Sequence, residues 1–285
     1  MLSLHTNNAA LSAQNAIAKT QSNLSTSMTR LSTGYRINTA SDDAAGLQIA
    51  TRLKAQTSGM AMAMKNTQNA TSMLQTASGA FNQVTNMLVR MKDLATQAAD
   101  VSSSTKDKEA MQSEFDALGK ELSNVMNNTT FGGTTLLAGG TLAGSMTFQI
   151  GASQSETMTV TVASAMTELT SALGSASANY TSATSAASTE LTSAANATIK
   201  LLADAIDKVG VVNSALGATI NRLDHINSNL SNISTNTESA SGRIMDTDFA
   251  TESASMTSNQ MLLQAGTAML KQSNSMSSLV MSLLQ

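Results

Sequence analysis

Residue types that carry out chemistry are few in this sequence and lie far apart. The chain has two histidines, His5 and His225, and no cysteine, which leaves no thiolate nucleophile and no Cys-ligated metal. The His-Glu-x-x-His motif of zinc peptidases does not occur. The pair Asp42-Asp43 fits the first turn of a helix, where the helix dipole favours negative charge, better than a metal site. We therefore predict that the protein is not an enzyme and holds no metal and no cofactor.

The composition predicts long helices rather than a thick globular core. The 285 residues include no proline, no tryptophan, 2% aromatic residues and 19 methionines. Proline is the strongest helix breaker, and aromatic side chains contribute the largest buried areas. A net charge of −3 without a basic patch argues against nucleic acid as a partner, and no apolar run is long enough to predict a membrane span. The first residues lack the basic and apolar regions of a signal peptide, so we expect any export to use another route.

One stretch, residues 53–98, carries mostly apolar residues in a long 3-4 repeat. Such a repeat predicts a helix with a partner helix along its whole length. The first row is Leu53, Met60, Thr67, Leu74, Phe81, Leu88 and Ala95, and the second is Gln56, Ala63, Ala70, Ala77, Val84, Met91 and Ala98. We predict that this helix starts at Ser41 as N-cap, with Asp42 and Asp43 in its first turn.

A second long helix is predicted in the C-terminal half and is the natural partner of the first. Its main row is Leu202, Val209, Leu216, Leu223 and Leu230. Asn213 falls on a core-type position of the other row, where it either sets the register or gives way to its neighbour Val212. A third helix, over residues 111–125, repeats apolar residues in steps of four and three and can fold back antiparallel on the first.

The middle of the chain changes character. Met158, Val160 and Val162 alternate with threonines, a period of two that predicts a strand. Residues 166–195 are rich in Ser, Thr and Ala with little periodicity, and we interpret them as a surface segment. The predicted fold is mainly α: a long antiparallel helical hairpin or coiled-coil rod, with the terminal helices packed side by side and a small β region at the far end.

Both ends of the chain are predicted to be amphipathic helices with nearly uncharged polar faces. Before Arg30 the only fully charged side chain is Lys19, and after residue 248 only Glu252 and Lys271 are charged. A solvated helix normally carries charges on its outer face, whereas amides and hydroxyls are buried in an interface at lower cost. The alternative for an isolated chain is a weakly stable terminus. Ends of this kind fit a subunit that assembles into a tube.

Two segments resemble the terminal signatures of bacterial flagellins. They are LSTGYRIN at residues 31–38 with ASDDAAGLQIA at 40–50, and SGRIMDTDFATE at 241–252. The sequence TFQIG at 147–151 resembles the start of the family's small β region. The resemblance implies a secreted, extracellular structural subunit of the bacterial flagellar filament, exported unfolded through the flagellar type III apparatus. The implied partners are further copies of the chain, an export chaperone, and the cap and junction proteins.

The resemblance also implies how the chain is divided. The implied segments are an N-terminal inner-tube helix at 1–40, outer-tube helices and the β region at 41–165, a short variable surface segment at 166–195, a returning outer-tube helix at 196–240 and a C-terminal inner-tube helix at 241–285. The residues expected to assemble the inner tube are Leu4, Leu11, Ile17, Leu24, Met28, Leu31, Leu262, Met269, Met276 and Leu283. The family's large outer domains would be nearly absent.

A further implication concerns recognition by a host. In flagellins sensed by animals, the Toll-like receptor for flagellin reads an Arg, a Leu and a Glu on the outer-tube helices. The matching motif, LVRMKDLATQ followed by QSE, supplies Arg90, Leu94 and Glu114, although Val89 departs from the polar residue common there. The alternatives are solvated charges for Arg90 and Glu114 and an assembly contact for Leu94.

Two other functions compete with that of a filament subunit. A flagellin-like junction protein between hook and filament would share the terminal helices, but the complete signatures at both ends favour flagellin. A secreted coiled-coil effector or membrane-active protein would also have amphipathic ends. The few Lys and Arg residues on the terminal helices argue against binding to anionic lipid.

Overall fold

A computed structural model describes residues 7–181 and 189–283, including their side chains except those of Thr181 and residues 276–283. Four residues singled out above lie outside the described side chains: Leu4, His5, Met276 and Leu283. Within the described part of the chain, no helix combines the length and the apolar character that crossing a membrane requires.

The chain divides into two compact units and is built mainly from long helices, as predicted. Unit 1 comprises residues 1–57 and 235–285, and unit 2 comprises residues 58–234. The helices are α1 Asn8–Thr33, α2 Ala44–Ala99, α3 Thr105–Asn128, α4 Ala163–Ala176, α5 Ala178–Thr181, α6 Glu190–Ser193, α7 Ala195–Met245 and α8 Phe249–Leu283, with a short 3-10 helix at Thr141–Ala143. The strands are β1 Thr130–Phe131, β2 Thr134–Thr135, β3 Ser145–Gln149 and β4 Thr157–Thr161.

The core of unit 2 runs along α2, α3 and α7. Both predicted rows of α2 are buried from Met60 onward, including the polar Thr67, whereas Gln56 is exposed. The predicted row of α7 is buried from Leu202 to Leu230, and α3 adds Phe115 to the same core. The 3-4 repeat therefore predicted the buried faces of both long helices.

The contacts of Asn213 and Leu230 show that α2 and α7 are antiparallel within unit 2. Ser78 Oγ on α2 and Asn213 Oδ1 on α7 lie 2.6 Å apart in a hydrogen bond. Leu230, farther along α7, clusters with Met60, which lies earlier on α2. Val212 is fully buried and occupies the seam, so Asn213 lies at the edge of the seam with a polar partner.

The β region of unit 2 consists of two small antiparallel hairpins. Strand β1 pairs with β2, and β3 pairs with β4 in a register that places Ser145 opposite Thr161 and Phe148 opposite Met158. Met158 and Val160 are buried, and the threonines between them are exposed. The prediction of a half-buried strand here is confirmed.

The interpretation of residues 166–195 as a surface segment is wrong for much of its length. The apolar residues of α4 fill the core of unit 2 at steps of three and four, and Leu191 in α6 is buried as well. The buried residues of α4 are Met166, Leu169, Leu173 and Ala176. Intervening Ser, Thr and Ala residues weaken the apolar contrast, so a helical period was present but not recognised.

A buried glutamine holds the short helices α5 and α6 against α3. Gln112 Nε2 donates to Glu190 Oε2 at 2.9 Å, and its Oε1 accepts the N–H of Leu191 at 2.7 Å. Glu190 Oε1 in turn accepts the N–H of Ala178 at 2.9 Å. Since Gln112 is only 5% exposed, these bonds satisfy polar groups that would otherwise be costly to bury.

Candidate assembly surface

The first element of the candidate surface, α1, begins and ends with residues suited to those positions. Asn7 caps its N-terminus, its Oδ1 accepting the N–H of Ala10 at 3.1 Å. Gly34 follows the last turn with φ of 76°, the left-handed conformation that ends many helices and that favours glycine. Helix α1 therefore ends at Thr33, directly before this glycine.

Helix α1 packs antiparallel against α8 within unit 1. Asn7 Nδ2 donates to the carbonyl of Ser273 at 3.2 Å, and at the other end of α1 the guanidinium of Arg30 lies 3.7 Å from the Glu252 carboxylate. Between them, a Cβ on Gly266 would lie 2.9 Å from Cγ1 of Ile17. The bare glycine thus lets the two helices approach closely, and the terminal helices lie side by side as predicted.

Backbone hydrogen bonds, called the strap below, join the connection that follows α1 to the connection that precedes α8. The N–H of Arg36 donates to the carbonyl of Met245 at 2.6 Å, and the N–H of Thr247 donates to the carbonyl of Gly34 at 3.0 Å. The Arg36 guanidinium adds a bond of 2.9 Å to the carbonyl of Ile244. The two signature segments recognised in the sequence therefore meet in space, a contact that no periodicity predicted.

The carboxylates of these connections cap helices, and one predicted cap is wrong. Helix α2 begins at Ala44, not after Ser41, and Asp43 Oδ1 accepts the N–H of Gly46 at 2.9 Å. Asp42 instead accepts the N–H of Thr39 at 2.8 Å within the preceding turn. Asp caps by accepting backbone N–H groups as Ser does, so a run of Ser-Asp-Asp leaves the start of a helix ambiguous.

Hydrogen bonds of this kind change the acidity of the carboxyl groups that accept them. The Thr39 N–H, followed by that of Asn38, holds the pKa of Asp42 below its ordinary value. The Thr251 hydroxyl, followed by the N–H groups of Ala250 and Thr251, lowers the pKa of Asp248 at the start of α8 in the same way. Both shifts favour the ionised carboxylate because hydrogen bonds to the charged form stabilise it.

The paired helices leave large apolar side chains exposed. Of the residues predicted for assembly, Ile17, Leu24 and Leu31 are half-buried between or beside the helices. The exposed ones are Leu11 and Met28 at 49%, Leu262 at 57% and Met269 at 66%. Phe249 and Met261 on α8 are exposed as well and were not among the residues expected to assemble the inner tube, although their placement on a nearly uncharged helix is a usable signal.

The three residues matched to the receptor motif differ in solvent exposure. Arg90 on α2 and Glu114 on α3 form an exposed ion pair, with Arg90 Nη2 lying 2.7 Å from Glu114 Oε1. Leu94 is only 2% exposed and belongs to the core of unit 2. The structure thus brings Arg90 and Glu114 together at the surface and places Leu94 beneath it.

Unit 1 also contains a groove, but its lining does not form a reactive site. The groove has a volume of about 460 Å³, and its charged lining residues are Lys54, Glu238 and Asp246. Among the described residues, no group of three or more His, Cys, Asp or Glu side chains is placed to hold a metal ion. What the arrangement offers is an apolar, weakly charged surface rather than a catalytic centre.

Comparison with known proteins shows which family has this architecture. The family model of the bacterial flagellin N-terminal helical region matches residues 4–141, and that of the bacterial flagellin C-terminal helical region matches residues 199–284. A solved structure described as a flagellar hook-associated protein from Vibrio parahaemolyticus has a TM-score of 0.56 at 16% identity, covering 72% of this chain and 100% of that chain, which shows a shared fold.

Curated relatives match over the entire length. Flagellin A of Vibrio cholerae serotype O1 is 32% identical over 379 aligned positions, covering 100% of both chains. Polar flagellin C of Vibrio parahaemolyticus is 31% identical over 384 positions with the same coverage. Flagellins are non-enzymatic structural subunits that polymerise into the extracellular filament of the flagellum, and this chain belongs to the bacterial flagellin family.

Proposed function

We propose that the exposed apolar side chains of α1 and α8 are the surface through which subunits join in the inner tube of the filament. The observation that carries this proposal is the exposure of Leu11, Met28, Leu262 and Met269 on one helix pair. Exposed apolar side chains that are grouped on one pair of helices favour an interaction site, whereas single ones scattered over a surface need no explanation. In this proposal the helices of unit 2 form the outer tube.

The charge distribution of the helix pair supports burial by neighbouring copies. Helix α8 carries only Glu252 and Lys271, and α1 carries only Lys19 and Arg30. Arg30 and Glu252 already lie close to each other within the subunit. Because buried charges are expensive and paired charges less so, repeated stacking of such helices avoids most of the desolvation cost.

We extend the proposal to export and to the partners met on the way. The subunit passes unfolded through the flagellar type III apparatus, directed by its N-terminal region. An export chaperone covers α8 before assembly, since an exposed apolar helix is otherwise prone to aggregation. The cap and junction proteins contact the same helix pair at the ends of the filament.

Replacing Leu262 with lysine tests the assembly surface. Leu262→Lys places a charge where the proposal buries an apolar side chain, so we expect complete loss of polymer and unchanged helicity of the free subunit. The matched control is Val101→Lys, because Val101 is exposed in the turn between α2 and α3 of unit 2. Polymer is measured by sedimentation and electron microscopy after induction with salt.

The proposal requires that Leu262→Lys loses polymer and that Val101→Lys does not. Normal filaments from Leu262→Lys would remove α8 from the interface. Equal loss of polymer in Val101→Lys would indicate a general effect of added charge instead. Persistent monomers or short rings from the unchanged chain would favour the junction-protein function.

We also propose that Arg90 and Glu114 are contacted by the host Toll-like receptor for flagellin, with Leu94 supporting them from below. An ion pair this exposed contributes little to stability, so its removal should be felt mainly in recognition. We expect Arg90→Ala to lower receptor activation by about tenfold or more, the effect of losing roughly 1.4 kcal/mol of binding. Activation is measured with free subunits in a receptor reporter cell.

Unit 2 offers a matched control for this substitution. Lys208 Nζ lies 2.7 Å from Glu168 Oε2 in a second exposed ion pair outside the receptor motif. Lys208→Ala should leave activation unchanged. If both variants lose activation equally, or neither does, the assignment of the Arg90 pair is wrong.

A further inference from the structure

We propose that Met28, Met261 and Met269 are sites of reversible oxidation to methionine sulfoxide, and that their oxidation in the free subunit blocks assembly. This inference rests on the proposed role of α1 and α8 as the assembly surface. It names a modification of that surface and the chemical class of its reagent, a hydroperoxide or hypochlorite.

The methionines of the helix pair differ sharply in exposure from those in the core of unit 2. Met28, Met261 and Met269 are each about half or more exposed on the helix pair. Four methionines in the core of unit 2, by contrast, are at most 1% exposed: Met91, Met126, Met158 and Met166. Because the rate of thioether oxidation follows solvent access, the helix pair should be oxidised long before the core.

The reaction with a hydroperoxide is balanced without any further reagent. The thioether sulfur attacks one oxygen of hydrogen peroxide, an S–O bond forms, and the O–O bond breaks. The leaving hydroxide takes up the proton of the transferred oxygen and departs as water. Sulfur loses two electrons, and the peroxide is reduced to water. The chain has no cysteine and no tryptophan, so no thiol or indole competes for the oxidant. A methionine sulfoxide reductase with a reductant reverses the change.

Methionine sulfoxide is too polar for the apolar interface in which the proposed assembly buries these side chains. A sulfoxide carries a strongly polar S–O group that accepts hydrogen bonds from water. Met261 directly precedes the exposed Leu262 on α8, Met269 follows Leu262 after about two helical turns, and Met28 is exposed on α1. Burying the sulfoxide among apolar neighbours costs its hydration, and the cost recurs at every subunit added.

The experiment compares free subunits before and after exposure to hydrogen peroxide. Oxidised positions are located by peptide mass spectrometry, and polymerisation is measured as the critical concentration after removal of the peroxide. We expect sulfoxide first at the exposed methionines, which are Met28, Met261 and Met269 of the helix pair and Met62 of unit 2, and a critical concentration raised by about tenfold or more. Treatment with the reductase should restore the original value.

Leucine substitutions assign the effect to these side chains. Leucine has nearly the volume of methionine and cannot be oxidised. The variant Met28→Leu/Met261→Leu/Met269→Leu should polymerise normally and stay insensitive to peroxide. The matched control is Met62→Leu, since Met62 is equally exposed on α2 but belongs to unit 2. This control should remain as sensitive as the unchanged chain.

Each result bears on the inference separately from the proposed function. If the untreated chain fails to polymerise, the proposed function is wrong. If the chain with the three sulfoxides polymerises at the original critical concentration, the inference is wrong and the function stands. A triple leucine variant that stays sensitive to peroxide also overturns it. Should that variant not polymerise, the order of oxidation and the reductase rescue of the unchanged chain decide the matter.

Discussion

Unit 1 and unit 2 use similar helices in opposite ways. Unit 2 buries the apolar rows of its helices in a core that also takes in the β hairpins. Of the apolar side chains described in unit 1, only those of Ile37 and Ala50 are buried. The same protein thus contains a region whose helices are stabilised by side chains of its own and a region whose large apolar side chains stay exposed, the surface that we propose is covered by other copies. The comparison predicts that the two regions will respond differently to proteolysis, truncation of side chains and acid.

The largest difference should appear in limited proteolysis. We expect trypsin to cut the free subunit first outside residues 58–234, and to leave a fragment of about that extent, because helices with few buried contacts open most readily. No Lys or Arg occurs between residues 122 and 199, so the middle of unit 2 offers trypsin no site. Cleavage is followed by mass spectrometry over time.

Assembled filaments serve as the control for the proteolysis prediction. If the helix pair is covered by neighbouring copies, the sites in unit 1 should be protected in the polymer. Initial cuts inside residues 58–234 of the free subunit would contradict the distinction between the two units.

A matched pair of truncations should give the next largest difference. Phe81→Ala removes a fully buried side chain from unit 2, and we expect a loss of about 3–5 kcal/mol in the free energy of unfolding. Leu24→Ala removes a half-buried side chain from α1, and we expect about 1 kcal/mol. Urea unfolding of the free subunits, followed by circular dichroism, measures both.

The prediction is tested by which of the two variants loses more free energy of unfolding. Equal losses would mean that α1 is packed as firmly as the core of unit 2. In the polymer the order should change, because Leu24→Ala then also weakens every contact between copies that depends on the position of α1.

Much of the fold follows from the period of the apolar residues. The rows of α2 and α7 were predicted because each buried position recurs at a fixed step over many turns. The exposed Gln56 marks the limit of this rule, since a polar residue on the row in unit 1 meets no core. The residues of α1 and α8 were predicted for assembly for the complementary reason, and their role stays a prediction: apolar side chains recur on helices whose polar faces carry almost no charge.

Two kinds of feature could not be predicted from the sequence. One depends on contacts between residues far apart in the chain, and the other on helices in which apolar and polar residues alternate with little difference in hydropathy. The strap between Arg36 and Met245 joins two connections of no regular period, and its hydrogen bonds use backbone atoms that any residue has. Helix α4 was missed because Ser and Thr surround its apolar residues. The burial of Leu94 does not follow from the family motif, which carries no information on the face of α2 that holds each residue. The neighbour of Leu94, Ala95, already lay on the buried row.

The smallest difference between the two units should appear in the loss of helicity at low pH. This loss depends on carboxylates at the starts of helices. Asp248 at the start of α8 has a pKa below the ordinary value of 3.8. Asp107 at the start of α3 has a lowered pKa for the same kind of reason, first through the Ser104 hydroxyl and then through its N–H. Asp248 caps a helix of unit 1, and Asp107 completes the capping box of Ser104 at the start of a helix of unit 2, so the two form a matched pair.

The sign of the effect follows from the direction of the shift. A folded pKa below the unfolded one means that the ionised carboxylate stabilises the folded state above pH 3.8, and that this contribution is lost as the pH falls below that value. In the free subunit, Asp248→Asn should therefore weaken the loss of helicity on acidification, because the amide keeps an acceptor for the cap but does not titrate. Asp107→Asn should change the helicity less, since α3 is also held by the core of unit 2. Acid titrations that coincide for Asp248→Asn and the unchanged chain would show that this cap contributes nothing to α8, and a larger effect from Asp107→Asn would reverse the ranking of the two units.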